Sequence, residues 1–431
     1  MSISSFLILY YPTHAGSEDL KPLKPAFDND NFWTIRQSLD FSLPLKETIV
    51  DSKNPIVQKS LRDLIARADS YLSLEPDSVV GKSRLPPSGD KHDFLSLAPF
   101  HWPDDTKPGQ IPYIYRDGEA NPEAYSIPDR GNLAKMMTRV KILSAAYYFT
   151  DDTKYSAKAT EILRVWFLNN DTFMNPNLQY SEVITGKNNG TRSGIIAANN
   201  FPTVLDSISL IQNSPNWTSK DQKDSISLIQ NSPNWTSKDQ KGIEQWFNKY
   251  LDWLLNSKFG KKESKQPNNH GTWYDVQASS ISLFLNKTEI TKNILENNLE
   301  KLILEKIQPN GSQPFEMYRH TSLDYHIFNL LGFFNLAKIG ENIGIDLWNY
   351  KSPEGSRLQK ALDYLLPYSL GKEAWPHEQI KAIDKITLFN LLCQATLHYK
   401  NNEYKEALQS IGYQNETMGI NGLIYGCANT S

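Results

Sequence analysis

Apolar residues recur at helical spacing along most of the chain, and the segments that carry them come in pairs with short polar joins. Leu133–Phe149 presents Leu133, Met136, Met137, Val140, Leu143 and Tyr147 at that spacing and stops at Thr150-Asp151-Asp152. Lys154–Leu168 follows at once with Ala157, Ala159, Ile162, Leu163, Val165, Trp166 and Phe167, so the two predict a helical hairpin. Gly242–Phe259 and Thr272–Leu285 repeat the arrangement. Lys292–Ile307, Ser322–Ile339, Gly355–Tyr368, Ile383–Tyr399 and Tyr404–Gly412 keep the same period, and alternating strand patterns are scarce. Hairpins over almost the whole length predict an all-α fold, an α/α toroid or incomplete α/α barrel whose inner helices surround a cleft.

No break in composition marks a second domain, so one toroidal domain is expected over 21–431, preceded over 1–20 by a tail or degraded signal. The stretch Phe6-Leu7-Ile8-Leu9-Tyr10-Tyr11 has no basic residue before it and makes a poor signal peptide. Eight Asn-x-Ser/Thr sequons, at Asn170, Asn189, Asn216, Asn234, Asn286, Asn310, Asn415 and Asn429, point instead to a secreted glycoprotein. The formal net charge of −3 gives no reason to expect a nucleic-acid partner, and no apolar run is long enough to span a membrane. Cys393 and Cys427 leave a disulfide and two buried thiols equally open, and two cysteines cannot build a Cys-rich metal site. Ten Trp and 21 Tyr suit sugar stacking and a large core alike. Oligomeric state is not legible.

Two segments break the helical pattern. Lys82–Arg130 is a long stretch rich in Pro, Gly, Asp and aromatics, too aromatic for disorder, and is expected to face substrate. Asp206–Lys223 recurs without change as Asp224–Lys241, which reads as a recent duplication. One copy is expected to join the helical framework and the other to bulge from the surface.

Two polar clusters each run into a helix. In Gln266–Gln277 the Asn pair reads as a loop before a helix from about Thr272, which sets Asn269 and His270 near a helix N-terminus, where backbone N–H groups favour an anion. Taken alone, a capping Asn and a structural His are the default reading. In Pro309–His326, Arg319 and Tyr325 flank the start of the next helix, and Arg is the side chain that grips a carboxylate with two parallel bonds. Taken alone, a surface Arg and a core Tyr are the default there too.

Five blocks, in order, resemble the alginate lyase superfamily. They are His92-Asp93-Phe94-Leu95-Ser96-Leu97-Ala98-Pro99 running on to Trp102-Pro103-Asp104, then Tyr113-Ile114-Tyr115-Arg116-Asp117-Gly118-Glu119 with Asn121-Pro122-Glu123, then Met174-Asn175-Pro176-Asn177-Leu178. Asn268-Asn269-His270-Gly271-Thr272-Trp273-Tyr274-Asp275 and Asn310-Gly311-Ser312-Gln313-Pro314 complete the set, over roughly residues 90–330. The resemblance is to polysaccharide lyase families 5 and 38, the latter including glucuronan lyases, and implies an α/α toroid that uses an Asn-His pair, an Arg and a Tyr. Carried onto this sequence, these are Asn269, His270, Arg319 and Tyr325, and the Arg-to-Tyr spacing of six is closer to family 38.

That set suits β-elimination from a 4-linked uronate. The charged carboxylate makes the neighbouring C5 proton very weakly acidic, and Asn269, His270 and Arg319 are expected to neutralise it as hydrogen-bond donors. No acidic cluster suggests calcium, so neither metal nor cofactor is expected. Tyr325 is expected to take the C5 proton and return one to the leaving oxygen, made more acidic by Arg319, with His270 as the rival base. One Tyr in both roles means syn elimination and so mannuronate or glucuronate as substrate. His101, Trp102, Tyr113, Arg116, Asn177, Gln179 and Tyr180 are candidates for sugar subsites, with bracing of the loop as the alternative. His92 and Asp93 read as a loop brace, and Trp375-Pro376-His377-Glu378 as a turn or a closure over the cleft. Two other functions remain open: a glycoside hydrolase using two of Asp275, Glu316 and Asp324, and a non-catalytic carbohydrate-binding protein.

Overall fold

The helices differ in how apolar residues are spread around them, and this sorts them into two layers. In the computed structural model, which describes residues 46–212, 234–297, 303–352, 355–412 and 415–427, the helices in chain order are α1 (Lys46–Val50), α2 (Pro55–Leu72), α3 (Asp129–Thr150), α4 (Thr153–Phe167), α5 (Phe201–Gln212), α6 (Ser237–Asn256), α7 (Lys258–Glu263), α8 (Asn269–Phe284), α9 (Thr288–Asn297), α10 (Ser322–Glu341), α11 (Arg357–Ser369), α12 (Lys385–His398), α13 (Asn402–Ile411) and α14 (Glu416–Tyr425). The tail over 1–20 and the sequons at Asn216 and Asn429 lie outside the described residues.

Helices α2, α4, α6, α9, α11 and α13 carry one apolar stripe and a polar outer face. By contrast α3, α8, α10, α12 and α14 show little asymmetry, and α8, α10 and α14 are buried almost all round. A helix apolar on every side has to be covered on every side, so this second set lines the inside. Packing follows suit: α3 meets α4 and α5, α5 meets α8, α8 meets α6, α9 and α10, α10 meets α11 and α12, and α12 meets α13 and α14. Helix α14 returns to α2, which packs on α3, so the series closes on itself as an α/α toroid. Gly419 of α14 faces Ser60 of α2, whose Oγ would lie 2.7 Å from a Cβ added there. Cys393 of α12 and Cys427 form a disulfide.

Several boundaries depart from the expected ones. Helix α6 starts at Ser237, before Gly242, because Thr236 and Asp239 form a capping box, and it stops at Asn256, with Ser257 capping the separate α7. Helix α8 starts at Asn269, before Thr272, because Asn268 caps it. The duplicated segment is shared between two helices: Asp206–Gln212 of the first copy finishes α5, whereas Asn234–Lys241 of the second caps and opens α6. Residues 213–233, and with them the expected bulge of one copy, lie outside the described residues.

The long irregular segment between α2 and α3 carries three short strands. Strand β1 (Leu95–Leu97) pairs in parallel with β4 (Tyr180–Val183). Strands β2 (His101–Trp102) and β3 (Ile114–Tyr115) form an antiparallel hairpin that pairs His101 with Tyr115 and Trp102 with Ile114. This segment is anchored to the toroid by a fully buried ion pair, Lys82 Nζ to Asp129 Oδ2 at 2.8 Å, at the start of α3. The lysine also donates to the carbonyls of Val79 and Lys91, and Asp129 Oδ2 accepts the Leu95 amide at 2.9 Å.

Deleting one partner of such a pair strands the other charge in the interior. Lys82→Met is expected to destabilise the protein by about 3–5 kcal/mol, read from urea unfolding, and the double change Lys82→Met/Asp129→Leu by clearly less. Equal losses in the two variants would contradict the anchoring role.

Candidate active site

The first turn of α8 is fixed by three hydrogen-bond acceptors. Asn268 takes the capping position, its Oδ1 accepting the His270 amide at 3.2 Å, which frees the Asn269 side chain for other work. Both Glu316 oxygens accept from Asn269, the backbone N–H at 2.5 Å and Nδ2 at 2.8 Å. Glu316 is wholly buried, and burial pushes its carboxyl up against the opposing pull of the Asn269 bonds. His270 Nδ1 lies 2.6 Å from Glu263 Oε1 at the end of α7, and the other Glu263 oxygen accepts from Arg192 at 2.6 Å. Gly271 is required where it stands: a Cβ there would lie 2.1 Å from the Gln266 carbonyl oxygen.

The second cluster centres on Asp117, which follows β3. Arg319 donates to it through Nε at 3.1 Å and Nη2 at 2.8 Å, Tyr115 through its hydroxyl at 2.6 Å, and the His320 amide at 2.8 Å. Burial works against the Asp117 charge, but these bonds prevail and bring its pKa down to about 2. Gly118, at φ +75°, makes the turn that follows, where a Cβ would meet Ile380 at 3.0 Å.

Arg319 Nη2 also donates to Tyr325 Oη at 2.6 Å, and the guanidinium carbon sits 3.6 Å from the centre of that ring. The pKa of Tyr325 differs from the expectation. Burial raises it, Arg319 opposes the rise, and the Asp117 charge adds to it, so the phenol of the free enzyme is less acidic than an ordinary tyrosine. Nε and Nη2 of Arg319 are engaged by Asp117 and Tyr325.

The four residues singled out from sequence are therefore connected. Asn269 is bonded to Glu316, the Arg319 amide donates to the Glu316 carbonyl at 3.4 Å, and Arg319 holds Tyr325. A cleft of about 490 Å³ opens beside this unit, lined by Tyr115, Arg116, Asp117, Glu119, Tyr318, Arg319 and His320.

Of the expected subsite residues, Arg116 lines that cleft, and its guanidinium stands 5.3 Å from the centre of the Trp102 ring. His101 packs against Tyr115 at 5.3 Å between ring centres. Arg116 is the one of the seven in the cleft lining, and the other six, His101 and Trp102 among them, lie outside it. Tyr113 donates to Glu123 at 2.7 Å, Asn177 bonds to Asp93 and to the Gln179 amide, Gln179 is exposed, and Tyr180 packs on a small separate core with Leu95 and Ile127. Asp93 accepts from Ser88 and Asn175, and His92 bonds to the Phe173 carbonyl, so both brace the loop as expected. Trp375 donates to Ser322 Oγ at 2.7 Å, and the Glu378 carbonyl accepts the Ser322 amide, which fixes the start of α10.

Two of the three carboxylates proposed for a hydrolase are engaged elsewhere. Glu316 holds Asn269, and Asp324 accepts from the Asp384 amide and Gln379. Asp275 lies further along α8 with its pKa pushed up by burial to about 7. Among the described residues no group of three or more His, Cys, Asp or Glu could hold a metal ion, and no helix is long and apolar enough to cross a membrane. The sequence offered no sign of Glu263 or Arg192, whereas Asp117 and Tyr318 stood inside the singled-out segments without a role.

The sequence profile of the alginate lyase family matches residues 78–375. A crystal structure of an alginate lyase from Bacteroides ovatus is 33% identical, with 88% of this chain and 96% of that one covered and a TM-score of 0.79. A histidine-to-alanine variant of alginate lyase A1-III, complexed with a tetrasaccharide, shares the fold at 14% identity and TM-score 0.55, over 90% of this chain and 95% of that one. No curated protein matches by sequence. Fold and site thus make this chain a polysaccharide lyase. It belongs to the alginate lyase family.

The depressed Asp117 pKa links this site to acid stability. With a folded pKa of about 2 against the ordinary 3.8, its contribution is complete above about pH 4 and is lost as pH falls through about 2. The melting-temperature gap between wild type and Asp117→Asn is expected to close over that window. A gap that stays constant from pH 5 to pH 2 would contradict the assignment.

Proposed function

We propose that this lyase cleaves a 4-linked uronan, the mannuronate stretches of alginate or a glucuronan, by metal-independent syn β-elimination. The observation that carries this reading is the 2.6 Å bond from Arg319 to Tyr325 with Arg319 locked onto Asp117. It holds a phenol against a fixed positive charge at the edge of the cleft. The family membership and the Bacteroides ovatus alginate lyase support a uronan as substrate.

In this reading Asn269 and His270 take the substrate carboxylate. One Asn269 Nδ2 hydrogen is engaged by Glu316, leaving the second for a carboxyl oxygen. His270 is held through Nδ1 by Glu263, and as the imidazolium it turns an Nε2–H donor to the substrate. These donors stabilise the negative charge that spreads onto the carboxyl group when the C5–H bond breaks. The ionised Tyr325 oxygen accepts the C5 proton, the released electron pair forms the C4=C5 bond, and the C4–O bond breaks. Tyr325 then passes that proton to the leaving glycosidic oxygen, which restores the phenolate. Because the phenol is less acidic than usual in the free enzyme, its ionisation limits the active fraction at neutral pH.

The test is ultraviolet absorbance of the new double bond on polymannuronate, polyguluronate, glucuronan and a neutral glucan, with chelator present. Activity on polymannuronate or glucuronan that resists chelation and falls by at least about 10²-fold in Tyr325→Phe is the expected result. A preference for polyguluronate, or loss of activity with chelator, would refute the syn or the metal-independent part respectively. Asp117→Asn supplies a second check. Without the Asp117 charge, Arg319 acts on Tyr325 with less opposition, so the limb of the pH–rate profile that rises with tyrosine ionisation should move to lower pH. A shift to higher pH would count against Tyr325 as the base.

A further inference from the structure

We propose that this chain is an N-glycoprotein whose oligosaccharides sit on Asn170, Asn189 and Asn286, while the sequon at Asn234 stays bare. The inference is independent of the substrate reading. The sequence contains eight sequons, and the structure separates those that can hold a glycan from one that cannot.

Asn170 lies in the turn after α4, Asn189 in the loop after β4, and Asn286 just past α8, and all three are exposed. Among the described residues no neighbour holds any of the three side chains. The backbone at Asn286 adds a reason. Its φ of +56° lies in the left-handed region, which asparagine tolerates better than most residues. The Asn286 amide donates to the Leu283 carbonyl at 2.9 Å and the Lys287 amide to the Ser282 carbonyl at 2.7 Å. Backbone bonds alone close this turn, so nothing in it depends on Asn286 Nδ2. Helix α8 has 16 residues, which sets Asn286 about 25 Å of helix rise from Asn269 in the first turn, well away from the catalytic candidates.

Asn234 is the opposite case. It is half-buried, its Nδ2 donates to the Thr153 carbonyl at 3.2 Å, and its own carbonyl accepts Arg164 Nη2 at 3.0 Å. Trp235 beside it is buried, and the Thr236 hydroxyl belongs to the capping box that opens α6. A sugar on that nitrogen would have to push the start of α4 away from the α6 cap. Asn310 and Asn415 are exposed but tethered: Asn310 Oδ1 takes the Ser312 amide and hydroxyl, and Asn415 Oδ1 caps α14.

The modification takes an oligosaccharide carried on a lipid diphosphate, the donor held in secretory membranes. The asparagine Nδ2 bonds to sugar C1, the bond from C1 to the diphosphate oxygen breaks, Nδ2 loses one proton, and the lipid diphosphate leaves with the electron pair. A second feature points to the same compartment. Cys393 and Cys427, both buried, are joined in a disulfide, a bond that persists in oxidising surroundings and is rare where glutathione keeps thiols reduced.

The test secretes the full chain from a eukaryotic host behind the host's own leader and takes the fraction that melts cooperatively. Peptide-N-glycosidase in heavy-oxygen water then turns each glycosylated asparagine into a labelled aspartate, located by mass in tryptic peptides. The two Asn-Trp-Thr copies are told apart because the peptide holding Asn234 begins at Asp224. Label at Asn170, Asn189 and Asn286 with none at Asn234 is the expected result. Asn170→Gln, Asn189→Gln and Asn286→Gln should each remove one glycan step in gel mobility. The inference is overturned if any of the three is unlabelled, or if Asn234 carries label in the folded fraction. Should no folded protein be secreted, the chain is translated into microsomes and mapped there, and a missing label at any of the three sites overturns it equally.

Discussion

The site depends on one carboxylate. Asp117 sits on a hairpin of the irregular segment, yet it receives Arg319, Tyr115 and the His320 amide, and so ties that hairpin to the start of α10 across a separation of 202 residues. A buried acid is unfavourable unless its charge is met, and here four donor groups meet it. The consequence reaches beyond the pair itself. Arg319 is held at a fixed angle, with Nη2 shared between Asp117 and Tyr325. Asn269 and His270 are held by buried acids of their own, Glu316 and Glu263.

Local arguments explain why a helical toroid presents these groups together. Helices α8 and α10 are buried almost all round, so they belong to the inner layer, and the catalytic candidates lie within their first turns or just before them. Helix starts carry unsatisfied N–H groups, which is where fixed donors for an anion come ready-made. The loop between α2 and α3 supplies what the helices cannot: the acid that locks Arg319 and the Arg116 side chain of the cleft lining. The buried Lys82–Asp129 pair keeps that loop seated on the toroid.

How much of this was legible follows from range. The helical pairing, the inner position of α8 and the proximity of Arg319 to Tyr325 are short-range matters, carried by periodicity and a six-residue spacing across a helix start. Helix α14 escaped the same reading because Gly419 and Gly422 speak against a helix locally, whereas its packing against α2 favours one. Asp117 to Arg319 and Arg192 to Glu263 join residues far apart in the chain, and no local pattern marks such partners. The pKa of Tyr325 was misjudged for the same reason. With Arg319 alone in view its charge acidifies the phenol, whereas burial and Asp117 reverse the balance. Tyr113 and Asn177 illustrate the converse: polar side chains in such loops are as well suited to bracing them as to touching sugar, and in the structure they bond to Glu123 and Asp93.

The duplicated segment has a consequence for how this chain tolerates a change of length. Helix α5 uses only Asp206–Gln212 from the first copy, and α6 with its cap uses only Asn234–Lys241 from the second. Asn216–Lys223 of the first copy is the same eight residues as Asn234–Lys241. A single copy therefore already contains, in order, the ending of α5, the three residues Asn213-Ser214-Pro215 and the complete opening of α6. Gaining or losing one eighteen-residue unit rewrites neither helix, so an event in the gene that would ordinarily shift a reading of every later contact leaves the toroid spelling the same two helices on either side of it.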